Sequence, residues 1–447
     1  MLNAYLGGFE ITRNFFAICD LALACYAHIE NAGALAGSQN KLKILFLSSW
    51  FPYPPINGAK IRIYNLIREL SKYHEITLLS FSRTISVEEA RNNISHLNQY
   101  CRTVKVVAAR PYNPNSRDAF KGFFSLKPRS VVQTYSSEMA ELVAETLKSD
   151  TYDVVVASEV NMPYLVSQLA SEVAGIPIIL DAIEIALAKD AYRQESSPIR
   201  RLRNGLTWFK LKNFTKSLLH QVDACTVPSE QERLNLLEIM PNHPNIKVIP
   251  HSLDLERYTD SYGDPRPNLL AYTGSFSYHA NLDAAYYFLD EIYPLVKMSV
   301  PEVYLQIIGN IDGVNLDKWP VDKSVNFTGL IYDVRVPVAQ SWVSIVPLRV
   351  GAGTRLKIIE SLALGTPVVS TSKGAEGLEL VDGKNILIAD TPSAFANAVA
   401  CVLQNPDLRE KLSYEGRKLV REKYSSNVMG ASFNALLENV VHSDRGT

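Results

Sequence analysis

SIVPLRVGAGTRLKIIESLALGTPVVS, residues 344–370, reads as a buried strand, a glycine turn, a helix and the start of a second strand. The first strand ends near Leu348. Gly351 and Gly353 let the backbone turn and approach a ligand closely. Thr354 is placed to cap the helix, and Gly365 and Pro367 end it. Leu356, Ile359 and Ala363 form its buried face. Arg355 and Lys357 fall in the first turn, where free N–H groups and the helix dipole already favour an anion. Two cations are unfavourable there unless a dianion neutralises them. The segment is therefore expected to bind the phosphates of a nucleotide-type ligand. Glu360 follows Lys357 at a spacing that shares a helix face. It is a candidate acceptor for ligand hydroxyls such as a ribose, against the alternative of an ordinary Lys–Glu surface pair. The spacing is neither a Walker A loop nor a GxGxxG unit, so an ATPase or simple dehydrogenase is not indicated.

The same strand–helix alternation runs through the chain. KLKILFLSS (41–49) reads as a strand buried on both faces, followed by the proline loop WFPYPPINGA and a helix over 59–72. Strands follow at 74–82, 104–109, 151–158 and 176–184, with helices at 138–148, 162–175 and 198–220. Segments 221–229 and 245–254 complete a first α/β series. LERYTDSYGDPRPN breaks the pattern and is the candidate linker, 255–268. A second series starts at LLAYTGS (269–275) and runs to about residue 425, leaving a last helix over 428–441 that periodicity alone does not place. Two sequential Rossmann-like domains, 41–254 and 269–425, with a cleft at the strand C-termini, are the economical architecture.

Weaker candidates stand at the other strand ends. Gly58 opens the first long helix and offers its amide to a phosphate or sugar; Lys60 and Arg62 beside it fit a solvated helix start nearly as well. Gly274 and Ser275 end the first strand of the second series and offer backbone contacts. Asp181 and Glu184 leave one strand together, where either can orient an acceptor or simply build the loop. Glu159 leaves another strand, and His279 lies in a polar loop; both fit structural roles better.

Bulk composition narrows the function. With 45 basic and 46 acidic side chains the net charge is -1, which argues against a nucleic-acid binder. The cysteines Cys19, Cys25, Cys101, Cys225 and Cys401 are scattered and read as reduced, buried thiols of a cytosolic protein. No metal-ligand spacing is visible. Residues 1–40 carry an apolar stretch, FFAICDLALACYA (15–27), interrupted by Asp20. A helical appendage, a helix touching a membrane or partner, and a dispensable start remain open for it.

Collected in order, these residues resemble the retaining glycosyltransferase family 4, and among its members the bacterial sugar transferases of polysaccharide biosynthesis. TGSFSYHANLDAAYYF, PEVYLQIIGN, VNFTGLIYD, VSIVPLRVGAGTRLKIIESLALGTPVVSTSKGAEGL and EKYSS carry the resemblance, with KILFLSSWFPYPPINGAKIRIYNLIRELSKYHEITLLSF, LDAIE, VPSEQE and IPHSLD giving weaker support. It covers about 41–441 and leaves out the first 40 residues. It implies an α/β GT-B fold, two Rossmann-like domains facing across a cleft, with helix 426–447 crossing back to the first domain. It implies sugar transfer with retention from a nucleotide diphosphosugar, UDP- or GDP-linked, to a hydroxyl of a glycan, a lipid-linked acceptor or a small molecule. Arg355 and Lys357 would hold the donor diphosphate, Glu360 the ribose, Gly58 would face the diphosphate, and Leu330 would lie near the base. Gly274, Ser275, Gly351, Ala352, Gly353 and Thr354 complete the donor side; Asp181 and Glu184 stand on the acceptor side. No permanent cofactor and no metal is required by this scheme. A cytoplasmic place is implied, with peripheral contact at the inner membrane face left open.

The sequence also departs from the family. Its two glutamates are separated by seven residues, so the first would fall at 352, which is Ala352. The arginine–lysine pair usual after the first strand of the second domain is replaced by SFSYHANLD, and SEVN stands where a histidine follows the 151–158 strand. A different enzyme of this fold, such as an epimerase or sugar-phosphate synthase, and a non-catalytic nucleotide-sugar binder therefore remain alternatives.

Overall fold

The structure, a computed structural model, describes residues 41–83, 86–110, 112–113, 116, 122, 124–169, 173–243, 245–259, 261–314, 319, 322–351 and 353–444. The readings of 1–40 and of Ala352 fall outside them. Contacts divide the chain into Met1–Leu42 and Lys43–Thr447, and both sheets belong to the second.

The first sheet is built from β1 (Lys43–Ser48), β2 (Glu75–Ser82), β3 (Thr103–Ala108), β4 (Val154–Ser158), β5 (Ile178–Asp181), β6 (Ala224–Val227) and β7 (Ile246–Val248). All its pairs are parallel, in the order β3-β2-β1-β4-β5-β6-β7. Burial of Ile44 to Leu47 on both faces explains the unbroken apolar run. Its helices include α1 (Gly58–Leu70), α2 (Ala186–Arg193) and α3 (Pro198–Leu219).

The second sheet holds β8 (Arg266–Thr273), β9 (Tyr304–Ile308), β10 (Val325–Gly329), β11 (Ser341–Val346), β12 (Val368–Ser370) and β13 (Leu387–Ile388). It too is parallel, in the order β10-β9-β8-β11-β12-β13. β8 starts at Arg266, inside the segment read as linker, because Arg266 pairs with Ser341 at the start of β11. The helical stretch after β8 is α4 (His279–Tyr287), a π-type turn over Phe288–Ile292 and a further helical segment, Tyr293–Ser299. Pro294 sits just past the π turn and has no N–H to donate into it. Helices α5 (Leu356–Leu364) and α6 (Ser372–Ala375) follow β11 and β12.

The order of strand addition reverses beside the first strand of each sheet, between β1 and β4 and between β8 and β11. In open parallel sheets the crevice at such a switch point takes the ligand. The last helix, α7 (Ser426–Asp444), returns to the first half and packs on α1. A side chain on Gly430 would put its Cβ 2.5 Å from that of Glu69, so glycine sets the closeness of this contact. His74 Nε2 meets Asn434 Oδ1 at 2.5 Å, and Arg68 donates to Ser426 Oγ at 2.9 Å. The largest core lies around Tyr272, Ile345 and Phe395 in the second half, and the first sheet packs one around Leu45, Val155 and Met139. Cys101 and Cys225 are buried as expected; Cys401 is exposed, on the outer face of the helix Pro392–Gln404.

Candidate active site

The glycine turn after β11 lies at the switch point of the second sheet. Gly351 (φ 104°) and Gly353 (φ 90°) both occupy the left-handed region that disfavours side chains. Thr354 is not the cap. Leu356 N–H bonds the Thr354 carbonyl at 3.0 Å, a tight turn that delays the helix by a residue and leaves Arg355 as N-cap, with no side-chain cap bond. The first amides of α5 thus point from an uncapped N-terminus.

Arg355 is buried, and burial pulls its guanidinium below the usual range while Tyr278, Glu376 and Glu184 oppose that. Lys357 turns back onto the end of β8. Its Nζ donates to the Thr273 carbonyl and, at 2.9 Å, to Asn281 Oδ1, and lies 4.8 Å from the centre of the Tyr272 ring. Burial, then repulsion from Arg355, lowers its ammonium to about 7. Glu360 is half-buried on the next turn, and its Oε1 accepts the Tyr258 hydroxyl at 3.2 Å. Burial raises its carboxyl to about 7 against the pull of Tyr258 and Lys357. The two side chains diverge, so the simple surface pair is not what forms. Gly274 meets this cluster: a Cβ there would lie 3.1 Å from Lys357 Nζ. Ser275 is exposed, its carbonyl accepting from Asn281 Nδ2 at 2.9 Å. Leu330 is exposed just past β10, and His279 opens α4 at the surface.

Across the cleft, a Cβ on Gly58 would stand 3.3 Å from Leu356 Cδ1. The N-termini of α1 and α5 therefore converge on one spot from opposite domains. A Cβ on Gly353 would likewise lie 3.4 Å from Glu184 Oε2. Lys373 of α6 bonds Asp190 of α2 at 3.0 Å, a further bridge across the cleft. Between these contacts lies a cavity of about 440 Å³ lined by Gly58, Glu159, Glu184, His251, Gly353 and Thr354, among others.

Asp181 does not line this cavity. It is fully buried, its Oδ1 and Oδ2 held by Arg62 at 2.7 and 3.1 Å, with the Thr226 hydroxyl at 2.6 Å. Burial raises its carboxyl, but Arg62 and Thr226 outweigh burial and hold it below the usual range. Arg62 also donates to the Ile249 carbonyl at 2.8 Å. This pair ties α1 to β5 and to the exit of β7. Lys60 and Arg62 are buried, contrary to a solvated helix start.

Glu184 does reach the cleft, 3.6 Å from His251 Nε2. Burial raises its carboxyl, while His251, Arg62 and Arg355 together bring it below the usual range. His251 was not among the sequence candidates. The signal available was its place at the exit of β7, in IPHSLD. Glu159 also faces the cleft, at φ 63°, and accepts the Trp50 indole N–H at 2.6 Å. Such strain in a non-glycine residue persists only where its surroundings hold it.

A larger cavity, about 740 Å³, lies at the far end of α5, against Leu364, Gly365 and Arg417. That is the negative end of the helix dipole, the wrong pole for a diphosphate. Among the described residues, no cluster of three or more His, Cys, Asp or Glu is placed to hold a metal ion.

Residues 267–405, which include the glycine turn and α5, match the family model described as glycosyl transferases group 1. Solved structures extend the likeness to both sheets. Anabaena HepE, crystallised with UDP, is similar with a TM-score of 0.62 at 14% identity, over 89% of this chain and 100% of that one. The chain carries the GT-B fold. Sucrose-phosphate synthase of Thermosynechococcus elongatus shares the GT-B fold to a similar degree, at TM-score 0.62 and 15% identity, over 90% of this chain and 100% of that one. In sequence, a 44.6 kDa protein of the cps region of Klebsiella pneumoniae is 21% identical over 416 residues, 87% of this chain and 98% of that protein. The GT-B cleft is thus the place where the glycine turn, both helix N-termini and the Glu184–His251 contact meet.

Proposed function

We propose that this protein is a retaining glycosyltransferase of the family 4 type, moving a sugar from a nucleotide diphosphosugar to a hydroxyl acceptor. The observation that carries the reading is the convergence of the N-termini of α1 and α5 at Gly58 and Leu356, with Arg355 and Lys357 beside it. Breaking the sugar–phosphate bond builds charge on the leaving diphosphate, and preorganised cations and amides aimed at that charge lower the barrier. Arg355, Lys357 and the first amides of α5 supply this. A leaving phosphate oxygen takes the acceptor proton on the face the leaving group vacates, which accounts for retention. Glu360, steadied by Tyr258, holds the ribose; Leu330 borders the base; Gly274, Ser275, Gly351 and Gly353 admit the donor by small size or by backbone contact. Glu184 stands on the acceptor side with His251 and Glu159.

In this scheme residues 41–254 form the acceptor-side domain, 255–268 the linker and 269–425 the donor domain, with 426–447 the crossover. HepE was crystallised with UDP and with UDP-glucose, which makes uridine diphosphosugars the first donors to test. The cps-region relative supports a polysaccharide setting, hence a glycan or lipid-linked acceptor and a reaction in the cytoplasm.

The test is a binding screen of UDP-, GDP- and other nucleotide sugars, followed by transfer assays and product analysis with the best donor. A glycosylated acceptor with the donor's anomeric configuration supports the reading. A free epimerised sugar nucleotide indicates an epimerase, a disaccharide phosphate a synthase, and binding with no turnover on any acceptor a non-catalytic binder.

A further inference from the structure

Helix α3 has a composition unlike the rest of the chain. Its 22 residues, PIRRLRNGLTWFKLKNFTKSLL, contain Arg200, Arg201, Arg203, Lys210, Lys212 and Lys216 and not one carboxylate. The protein as a whole is nearly neutral, at -1. The C-terminal turns of α3 are anchored, with Phe214 and Leu218 packed against Val131 and with Leu219 in the core beneath β5 and β6. The N-terminal turns are covered on one side only, by α2. Ile199, Leu202, Leu206 and Phe209 recur at intervals of three, four and three residues, which places them on one face. That face is open to solvent: Ile199 is 83% exposed, Leu202 77% and Phe209 56%.

A second element extends the same surface. Lys210 Nζ donates to the Gly122 carbonyl at 2.9 Å, which fixes that point of the chain on α3. Phe124 and Leu126 in the loop after it are 84% and 83% exposed. Helix α2 supports α3 from the other side: Asn204 Nδ2 bonds the Ala191 carbonyl at 2.9 Å, and Gly205 gives room to the Tyr192 ring. α2 also carries Asp190, the partner of Lys373 across the cleft, so the surface flanks the cleft mouth.

We propose that the N-terminal half of α3, with the Phe124–Leu126 loop, is a docking surface for an anionic lipid bilayer. A contiguous apolar patch on a soluble face marks an interaction site. Leucine, isoleucine and phenylalanine beside arginines, with no acid among them, match a helix lying in the headgroup boundary of a negatively charged leaflet. The side chains project from a helix edge and a loop tip rather than lining a groove, which suits insertion among acyl chains better than the seating of a rigid partner. Docked this way, the protein holds its cleft mouth at the membrane surface, within reach of an acceptor anchored there. The surface stands on residues separate from the donor site, so it is testable whichever donor is used.

The experiment is co-sedimentation of the full chain with vesicles of phosphatidylcholine alone or with about 30% phosphatidylglycerol, the anionic lipid supplying the surface charge. Binding is expected to the anionic vesicles, weakening as salt rises. Each arginine near such a surface contributes about fivefold in affinity, so R200E/R203E is expected to lose at least about 25-fold. I199S/L202S, which keeps every charge, is expected to lose binding as well. Circular dichroism and donor affinity of both variants are expected to match wild type, which separates failure of this proposal from failure of the transfer reading. A wild-type protein that stays in the supernatant with anionic vesicles overturns the proposal. So does either folded variant sedimenting as wild type does, or light scattering that shows the patch closing a dimer which I199S/L202S dissociates.

Discussion

Lys357 and Glu360 stand on one face of α5, yet Lys357 Nζ reaches the Thr273 carbonyl while Glu360 Oε1 takes the Tyr258 hydroxyl. Both are brought to about 7 from opposite directions. The lysine's value is depressed, so its charge is present below pH 7 and lost above it. The glutamate's value is raised, so its charge is present above pH 7 and lost below it. Affinity for a diphosphosugar, whose own charge is fixed in this range, is expected to peak near pH 7. It should fall by up to about tenfold per pH unit on the alkaline side. K357R is expected to flatten that limb and E360Q the acid limb, both read by calorimetric titration from pH 5.5 to about 9.

Removing Arg355 leaves the leaving group without its buried cation. R355A is expected to lower kcat/KM by about 10²–10³, the scale of losing one preorganised charge-stabilising donor. Steady-state kinetics with saturating acceptor check this.

Asp181 and Glu184 leave the same strand but are expected to fail differently. D181N strands Arg62 in the core and should destabilise the fold by roughly 3–5 kcal/mol, seen as a lowered denaturant midpoint. E184Q and H251A should keep the midpoint and the donor Kd and lower turnover instead, since both face the cavity from the acceptor side.

The closed cleft leaves little room at Gly58. A larger residue must push against Leu356, which belongs to the other domain. G58V is expected to keep the fold and raise the donor KM by holding the domains apart, while thermal unfolding of the free protein shifts little.

Much of this was legible in the sequence where local chemistry decides. The unbroken run Ile44–Leu47 announces a strand buried on both faces, and the glycines at 351 and 353 announce the turn whose positive φ values only glycine readily adopts. Pairings over long distances were not legible. Arg62 and Asp181 lie 119 residues apart, and nothing local says that an arginine in a helix's first turns will be buried on a carboxylate. Glu184 looked equivalent to Asp181 because both exit β5; only the three-dimensional course of β7, which brings His251 beside Glu184, separates them. The cap was misplaced at Thr354 because sequence shows a good capping residue but not the tight turn that starts the helix after it. The crossing of α7 onto α1 came from family resemblance, since its own pattern names no partner; the small residue Gly430 is what the contact requires.

The role proposed for Arg355 and Lys357 is to hold the donor diphosphate. Its most direct test is calorimetric titration of wild type and R355A/K357A with UDP and with uridine. Wild type is expected to bind UDP far more tightly than uridine, and the double variant to lose this difference while binding uridine unchanged. A folded double variant that binds UDP as tightly as wild type would contradict it.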